Sequence, residues 1–314
     1  VQDARLRELI ALSLQNNRDL RVATLNIEQV RAQYQIRRAD QLPTLNLAAS
    51  GNRQPAADGG MSSTYTAGLA MASWELDFFG RVASLKDAAL AQFLASEEAR
   101  RAAQTSLVAA VVSTWLSLQA DEELLSLTQS TLATREDSLR LTKLRFDNGA
   151  NSALDLRQAE SLAAAARSTL AQQQRAKSLD LNALTLLVGQ TLPAHLLPFG
   201  PGATTQAQLS DMPGGLPSDL LNRAPGIRQA EQALTAANAN SGAARAAFVP
   251  RIPLPACVGT VSNQLSGLFE SGSWGFSLAP QALLPIFDAG RNQANLPVAK
   301  VARDVAVAQY ETAL

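Results

Sequence analysis

The chain has 314 residues, and its 27 Lys plus Arg cancel its 27 Asp plus Glu, so no positive field points to a nucleic-acid partner. Its single cysteine, Cys257, excludes an internal disulfide framework and a multi-cysteine zinc site. Aromatic residues make up 5% while Ala, Leu, Gln and Ser dominate, a composition for long, closely packed helices rather than an aromatic core.

No run of about 18 uncharged apolar residues occurs, so no membrane-spanning helix is expected. Val1-Gln2-Asp3 opens directly into a polar helix with no signal peptide. If the protein is exported, its leader and early mature segment are expected upstream of Val1. Asn17 to Arg38 forms the first long helical pattern, ended by Pro43. Thr44–Ser50 and Thr64–Asp77 are short alternating runs expected as strands, with residues 51–63 (GNRQPAADGGMSS) as a polar loop between them. Tyr65, Ala67, Leu69 and Met71 share one face, and the phase slips before Trp74 and Leu76, as a bulge would make it.

Arg81 to Asn148 contains neither glycine nor proline. A helix of that length extends roughly 100 Å at about 1.5 Å per residue. Val111, Leu118, Leu125, Leu132 and Leu139 recur every seven residues as a supercoiled seam. Glu122 and Gln129 occupy the partner positions, which suits a helix packed among neighbours around a wet space better than a two-stranded zipper. The helix stops at Phe146-Asp147-Asn148-Gly149, and Ser152-Ala-Leu-Asp155 is a capping box that starts the next, running to Val188. Capping alone accounts for this turn. The helix at 17–38 and the one at 151–188 together match the long helix in length, which predicts two shorter helices stacked end to end beside one long one.

Residues suited to bond chemistry are sparse. His195 lies in a loop with no second histidine and is expected at the surface. No phosphate loop or dinucleotide fingerprint follows a strand, and Asp147-Asn-Gly lacks the remaining spacing of a calcium loop. Glu97-Glu98 and Asp121-Glu122-Glu123 are expected as solvated helix faces. No catalytic, cofactor-binding or metal residue is assigned, and no cofactor is expected.

The order helix, strand, loop, strand, long helix occurs twice. A shift of 207 places Leu20-Arg21 on Ile227-Arg228, Arg38-Ala39 on Arg245-Ala246 and Pro43 on Pro250. A shift of 210 places Gly80-Arg81 on Gly290-Arg291. Between those anchors Trp274, Phe276, Leu278, Ala282, Leu284 and Ile286 alternate with smaller or polar residues. Only 24 residues follow Gly290, so the second copy is read as truncated.

Asn17-Arg-Asp-Leu-Arg-Val-Ala, Arg38-Ala-Asp-Gln-Leu-Pro, Trp74-Glu-Leu-Asp-Phe-Phe-Gly-Arg and Ser152-Ala-Leu-Asp-Leu-Arg-Gln-Ala resemble TolC-like outer-membrane factors. So do Leu216-Pro-Ser-Asp-Leu-Leu, Gly242-Ala-Ala-Arg-Ala-Ala-Phe and Leu284-Pro-Ile-Phe-Asp-Ala-Gly-Arg. The resemblance covers essentially the whole chain and is closest to the lipoprotein (NodT-type) branch serving multidrug efflux pumps of the resistance-nodulation-division (RND) type.

It implies an α+β fold: a long periplasmic α-helical barrel joined to a transmembrane β-barrel, built by a homotrimer with four strands per protomer and twelve in all. The strands are expected at about 42–50, 64–78, 252–262 and 272–286. Pro253 and Pro255 depart from the family's pattern, so the third strand is expected to begin only near Cys257. The segmentation implied is 1–41 first-repeat helices, 42–78 first β-hairpin, 79–190 long helical hairpin of the tunnel and 191–216 equatorial linker. Then follow 217–248 second-repeat helices, 249–287 second β-hairpin and 288–314 the start of a second tunnel helix.

The function implied is a passive, non-enzymatic exit duct for drugs or other small solutes in a tripartite efflux pump. It would lie in the bacterial outer membrane, extend into the periplasm and be lipid-anchored in the full-length protein. Implied partners are a periplasmic adaptor (membrane fusion) protein, an inner-membrane RND transporter and outer-membrane lipid. Phe146 and Asp147 are placed by the resemblance near the periplasmic constriction, and Gly149, Ser152, Leu154 and Asp155 near the adaptor-docking groove. Phe146 stands where the family often has tyrosine, which removes a hydroxyl contact from the gate. The alternatives are a periplasmic adaptor, which would show one hairpin rather than a repeat, and a coiled-coil scaffold, which leaves the alternating runs unexplained.

Overall fold

The computed structural model describes residues 3–55, 59–71, 74–197 and 223–314; the Leu216–Leu221 motif and most of the 191–216 linker lie outside the described residues. The chain divides into two compact units, Val1–Thr24 with Arg100–Pro217 and Leu25–Ala99 with Ser218–Leu314. In chain order the elements are α1 (Ala4–Asn16), α2 (Arg18–Ala39), β1 (Leu45–Pro55), β2 (Met61–Met71), α3 (Arg81–Asp147) and α4 (Ala153–Val188). They are followed by α5 (Pro225–Ala246), β3 (Ala256–Ser262), β4 (Trp274–Leu278) and α6 (Arg291–Ala313).

In the first unit α1 closes a core against α3 and α4. Leu6, Leu9, Val111, Trp115, Leu184 and Val188 are all fully buried there. Burial of each large side chain contributes on the order of 1.5–3 kcal/mol. Trp115 donates from Nε1 to the Leu196 carbonyl at 3.5 Å, within a 3-10 turn at Ala194–Leu196, and the Arg5 guanidinium lies 5.9 Å over its ring. His195 in that turn is exposed, 3.7 Å from Glu8. The seven-residue seam is buried at Val111, Leu118 and Leu125, and half-buried at Leu132 and Leu139.

The joint between α1 and α2 is a single buried residue. Asn17 accepts on Oδ1 from Leu20 N at 2.9 Å, capping α2, and donates from Nδ2 to the Leu187 carbonyl at 2.9 Å, satisfying the end of α4. Gly189 ends α4 at φ 78°, and a Cβ there would stand 2.9 Å from the Asn16 carbonyl carbon. The end of α4 thus meets the start of α2, the joint that end-to-end stacking requires.

Two acidic runs differ from expectation. Asp121 and Glu122 are half-buried rather than solvated, leaving Glu123 exposed. Glu122 pairs with Lys177 of α4 at 2.5 Å, while Asp121 Oδ2 is buried without a hydrogen-bond partner among the described residues. Burial and the neighbouring Asp180 charge raise the Asp121 pKa above its ordinary value. In the second unit Glu98 is also half-buried, 3.8 Å from Arg228 of α5. Helix-surface charge runs became inter-helix contacts because the partner cations sit far away in sequence.

The second unit holds an antiparallel sheet of order β1-β2-β3-β4. Its register sorts the side chains. Leu47, Leu69, Val258 and Phe276 form one row across all four strands, and Leu45, Met71, Ala256 and Leu278 form the next. The opposite face carries Ala48, Gly68, Gly259 and Gly275, then Asn46, Ala70, Cys257 and Ser277. These two rows of the apolar face are exposed, with Leu47 at 84% and Phe276 at 81%.

Strand limits depart from the expected ones at both hairpins. Most of the anticipated loop at 51–63 is ladder: β1 runs to Pro55 and β2 begins at Met61, pairing Asn52 with Thr64 and Arg53 with Ser63. Polarity did not stop the strands, since side chains of either kind sit on the faces while the backbone pairs, and Ser50 Oγ and Thr66 Oγ1 hydrogen-bond at 2.7 Å. β3 starts at Ala256, beside the expected Cys257, and β4 is regular only to Leu278.

Pairing nevertheless continues below both ends. Arg251 and Leu283 exchange both backbone hydrogen bonds, whereas Ala279 and Gln281 each donate to Pro255 and Pro253 and receive nothing back. On the other side Leu254 donates to Trp74 and Ile252 accepts from Leu76. The β2–β3 register steps by one residue between the Met71–Ala256 and Glu75–Pro253 pairs, as the expected bulge requires; residues 72 and 73 lie outside the described residues.

The internal repeat is structural. Gly80 (φ 70°) and Gly290 (φ 83°) are left-handed immediately before Arg81 and Arg291. Asp77 accepts from Ala83 N at 2.7 Å and Asp288 from Asn292 N at 2.8 Å, so a carboxylate caps each following helix. The first copy adds an ion pair, Arg81 to Glu75 at 2.5 Å, where the second has Pro285.

Candidate functional site: the α3–α4 turn

The proposed gate and docking residues lie at one helical turn, and the local sequence explains its shape. Gly149 adopts φ 73°; its N–H donates to the Phe146 carbonyl at 2.9 Å and that of Ala150 to the Arg145 carbonyl at 2.8 Å. This is a Schellman end, which needs a residue without a Cβ at the left-handed position. Asn148 adds a side-chain bond from Nδ2 to the Leu144 carbonyl at 2.7 Å.

Three residues later the capping box is complete. Asp155 N donates to Ser152 Oγ at 3.1 Å, Ser152 N donates to Asp155 Oδ2 at 3.1 Å, and Ser152 Oγ donates to the same oxygen at 2.7 Å. These bonds from Ser152 hold the Asp155 carboxyl below its ordinary pKa. The turn therefore keeps a fixed negative charge at the N-terminus of α4.

Phe146 is 37% exposed at the end of α3 and Leu154 is 66% exposed on the first turn of α4. Asp147 is exposed and has no ion pair among the described residues. The turn brings Ser152 and Asp155 into contact and positions Gly149 against Phe146 by backbone alone. Behind it, Arg135, Ser138, Thr142, Asn151, Asp155 and Gln158 line a polar groove of about 430 Å³ between α3 and α4. Of this set only Asp155 is among the residues expected from sequence at the site. The signal was present: Arg135 and Thr142 stand seven apart, and Asn151, Asp155 and Gln158 recur at helical spacing. An ion pair of Arg167 with Glu136 at 2.8 Å ties the two helices further along.

A four-stranded antiparallel sheet with two exposed apolar rows, carried on the same chain as a 67-residue helix and a doubly capped helical turn, defines an α+β class of protein with long helical extensions. The chain belongs to the outer membrane efflux protein family, which it matches over residues 9–190 and 216–314. It is 49% identical over 318 residues to outer membrane protein OprJ of Pseudomonas aeruginosa, covering 99% of this chain and 66% of OprJ. It is 46% identical over 316 residues to the toluene efflux pump outer membrane protein TtgC of Pseudomonas putida, covering 98% of this chain and 65% of TtgC. The chain thus spans slightly under two thirds of the length of these relatives. It resembles the solved open state of the Neisseria gonorrhoeae MtrE outer membrane channel with a TM-score of 0.83 at 42% identity, over 98% of this chain and 69% of that one.

Proposed function

We propose that this chain forms wall segments of a passive exit duct through the outer membrane, in a tripartite efflux pump. The carrying observation is the pair of apolar rows, Leu45 to Leu278 and Leu47 to Phe276, running across four strands with Leu45, Leu47, Leu69, Val258, Phe276 and Leu278 all at least half exposed. Lipid is the medium in which such a face is stable, and the Gly, Ala, Ser and Asn face opposite suits a watered lumen. β1 and β4 are edges in the protomer; closing three copies into a twelve-stranded barrel pairs those edges, as a bilayer demands.

In this reading the helices line a periplasmic tunnel. Phe146 and Asp147 stand at its constriction, Asp147 recurring around a threefold axis. Gly149, Ser152, Leu154 and Asp155 face a periplasmic adaptor, and an RND transporter supplies force and selectivity. The family supports the class of duct. The residue roles and the lipid-anchored NodT-type branch rest on the sequence resemblance, and transport needs no bond chemistry in this subunit.

The test is single-channel conductance of the intact protein in planar bilayers. Trimeric openings that widen in Asp147→Ala support both duct and gate. A monomer without conductance overturns the duct, and unchanged openings in the variant overturn the gate alone.

A further inference from the structure

Between β3 and β4 the chain makes a 3-10 turn, Leu265–Phe269, that packs back on β2 and β3. It lies over the apolar side of the sheet. Ser262 shares a row there with Tyr65, and its Oγ stands 2.8 Å from where a Cβ on Gly267 would sit. The same oxygen accepts from Gln264 N at 3.2 Å. Thr260, two residues earlier on that face, is 2% exposed, and Leu268 of the turn is 7% exposed. Ser273 Oγ donates to the carbonyls of Leu268 and Glu270 at 3.0 and 2.8 Å, fixing the turn. Leu268 is the anchor. Its neighbours Leu265 and Phe269 are left 67% and 82% exposed.

We infer that this turn is an interfacial membrane contact: Leu265 and Phe269 enter the acyl region of the outer leaflet while Glu270 to Ser273 stay at headgroup depth. The inference rests on the lipid-facing reading of the sheet. This turn joins the ends of β3 and β4 remote from α5 and α6, so it lies on the side of the bilayer away from the helices. Continuity selects lipid over a protein partner. The apolar band resumes at Trp274, 74% exposed, directly after the polar residues, and runs on through Phe276 and Leu278. The two exposed side chains therefore extend a surface that lipid already covers, instead of forming a separate patch. Aromatic and aliphatic side chains over a polar segment at a bilayer boundary fit interfacial immersion.

The experiment uses the intact protein with Cys257→Ser, spin-labelled at Phe269→Cys or separately at Leu265→Cys, in phosphatidylethanolamine–phosphatidylglycerol liposomes. Power saturation compares collisions with oxygen, which concentrates in lipid, and with a water-soluble nickel chelate. Oxygen access exceeding nickel access at both positions is expected. Dominant nickel access places the turn in water, and shielding from both reagents places it under protein, such as a second copy; either result overturns the inference. A label at Phe276→Cys separates the two levels. Lipid access there with water at Phe269 sinks only the turn's role, whereas water at Phe276 sinks the lipid-facing sheet itself.

Discussion

Gly68 and Gly259 face each other across β2 and β3 so closely that a Cβ on Gly68 would lie 2.5 Å from the Gly259 Cα, and one on Gly259 would lie 2.6 Å from the Gly68 Cα. Alternation along β3 explains the approach. Odd-numbered residues bond toward the β4 side: Arg251 exchanges both backbone bonds with Leu283, and Val261 N donates to the Ser273 carbonyl. Gly259 does the same and therefore meets Gly68 as a narrow pair without mutual bonds, where side chains come closest. Gly68→Ala or Gly259→Ala should each destabilise the protein by about 1–3 kcal/mol, because backbone rather than a pliable side chain must move. Gly275 stands in the same row with nothing within 4 Å of an added Cβ, so Gly275→Ala should leave the thermal midpoint in detergent nearly unchanged. Equal losses at all three positions would refute the close-approach explanation.

Asn17 holds two helix ends with one side chain. Asn17→Ala removes the cap of α2 and leaves the Leu187 carbonyl without its buried donor. The expected cost is about 2–3 kcal/mol, combining a lost N-cap with a buried unsatisfied acceptor. Asn17→Asp should recover the Leu20 bond but not the Leu187 one, and so fall between. Chemical denaturation of the three proteins ranks them.

At the α3–α4 turn, Ser152→Ala should cost about 1 kcal/mol of local helix stability. The Asp155 carboxyl is depressed by its Ser152 bonds, so its contribution is present above the unfolded value near 3.8 and fades as pH falls through the folded one. Amide protection at the first turn of α4, corrected for intrinsic exchange, should therefore fall below about pH 4 in the parent. In Asp155→Asn that acid dependence should be absent.

Asp121 behaves in the opposite sense. Its folded pKa is raised, so stability is fully present below the ordinary 3.8 and declines as pH rises toward the folded value, where the buried carboxylate ionises beside Asp180. Asp121→Asn is expected to raise the thermal midpoint at pH 7 and to converge with the parent near pH 3. A lower midpoint at pH 7 would show that the charge has a stabilising partner.

The helical skeleton was legible because its signals are local: the absence of Gly and Pro over α3, Gly149 in a left-handed turn, and the Ser152–Asp155 spacing. The repeat was legible from anchors such as Gly80-Arg81 and Gly290-Arg291. The hairpin at 51–63 is not legible, because its polar alternation resembles a loop until Asn52 and Thr64 are paired. The burial of Asp121 and Glu122 is not legible locally, because Asp180 and Lys177, the groups that set their environment, come some sixty residues later. The polar groove behind the turn was missed for a similar reason, its two walls belonging to separate helices.

Pro253 and Pro255 both turn their missing donors toward the β4 side, leaving Gln281 and Ala279 to bond in one direction only. A slip of β3 by one residue against its neighbours would swing those imino nitrogens toward β2 and also turn Val258 away from the apolar face. The two prolines thus tie the register of β3 to that of its neighbours. Only the native alignment lets Arg251 and Leu283 close the ladder beyond the gap.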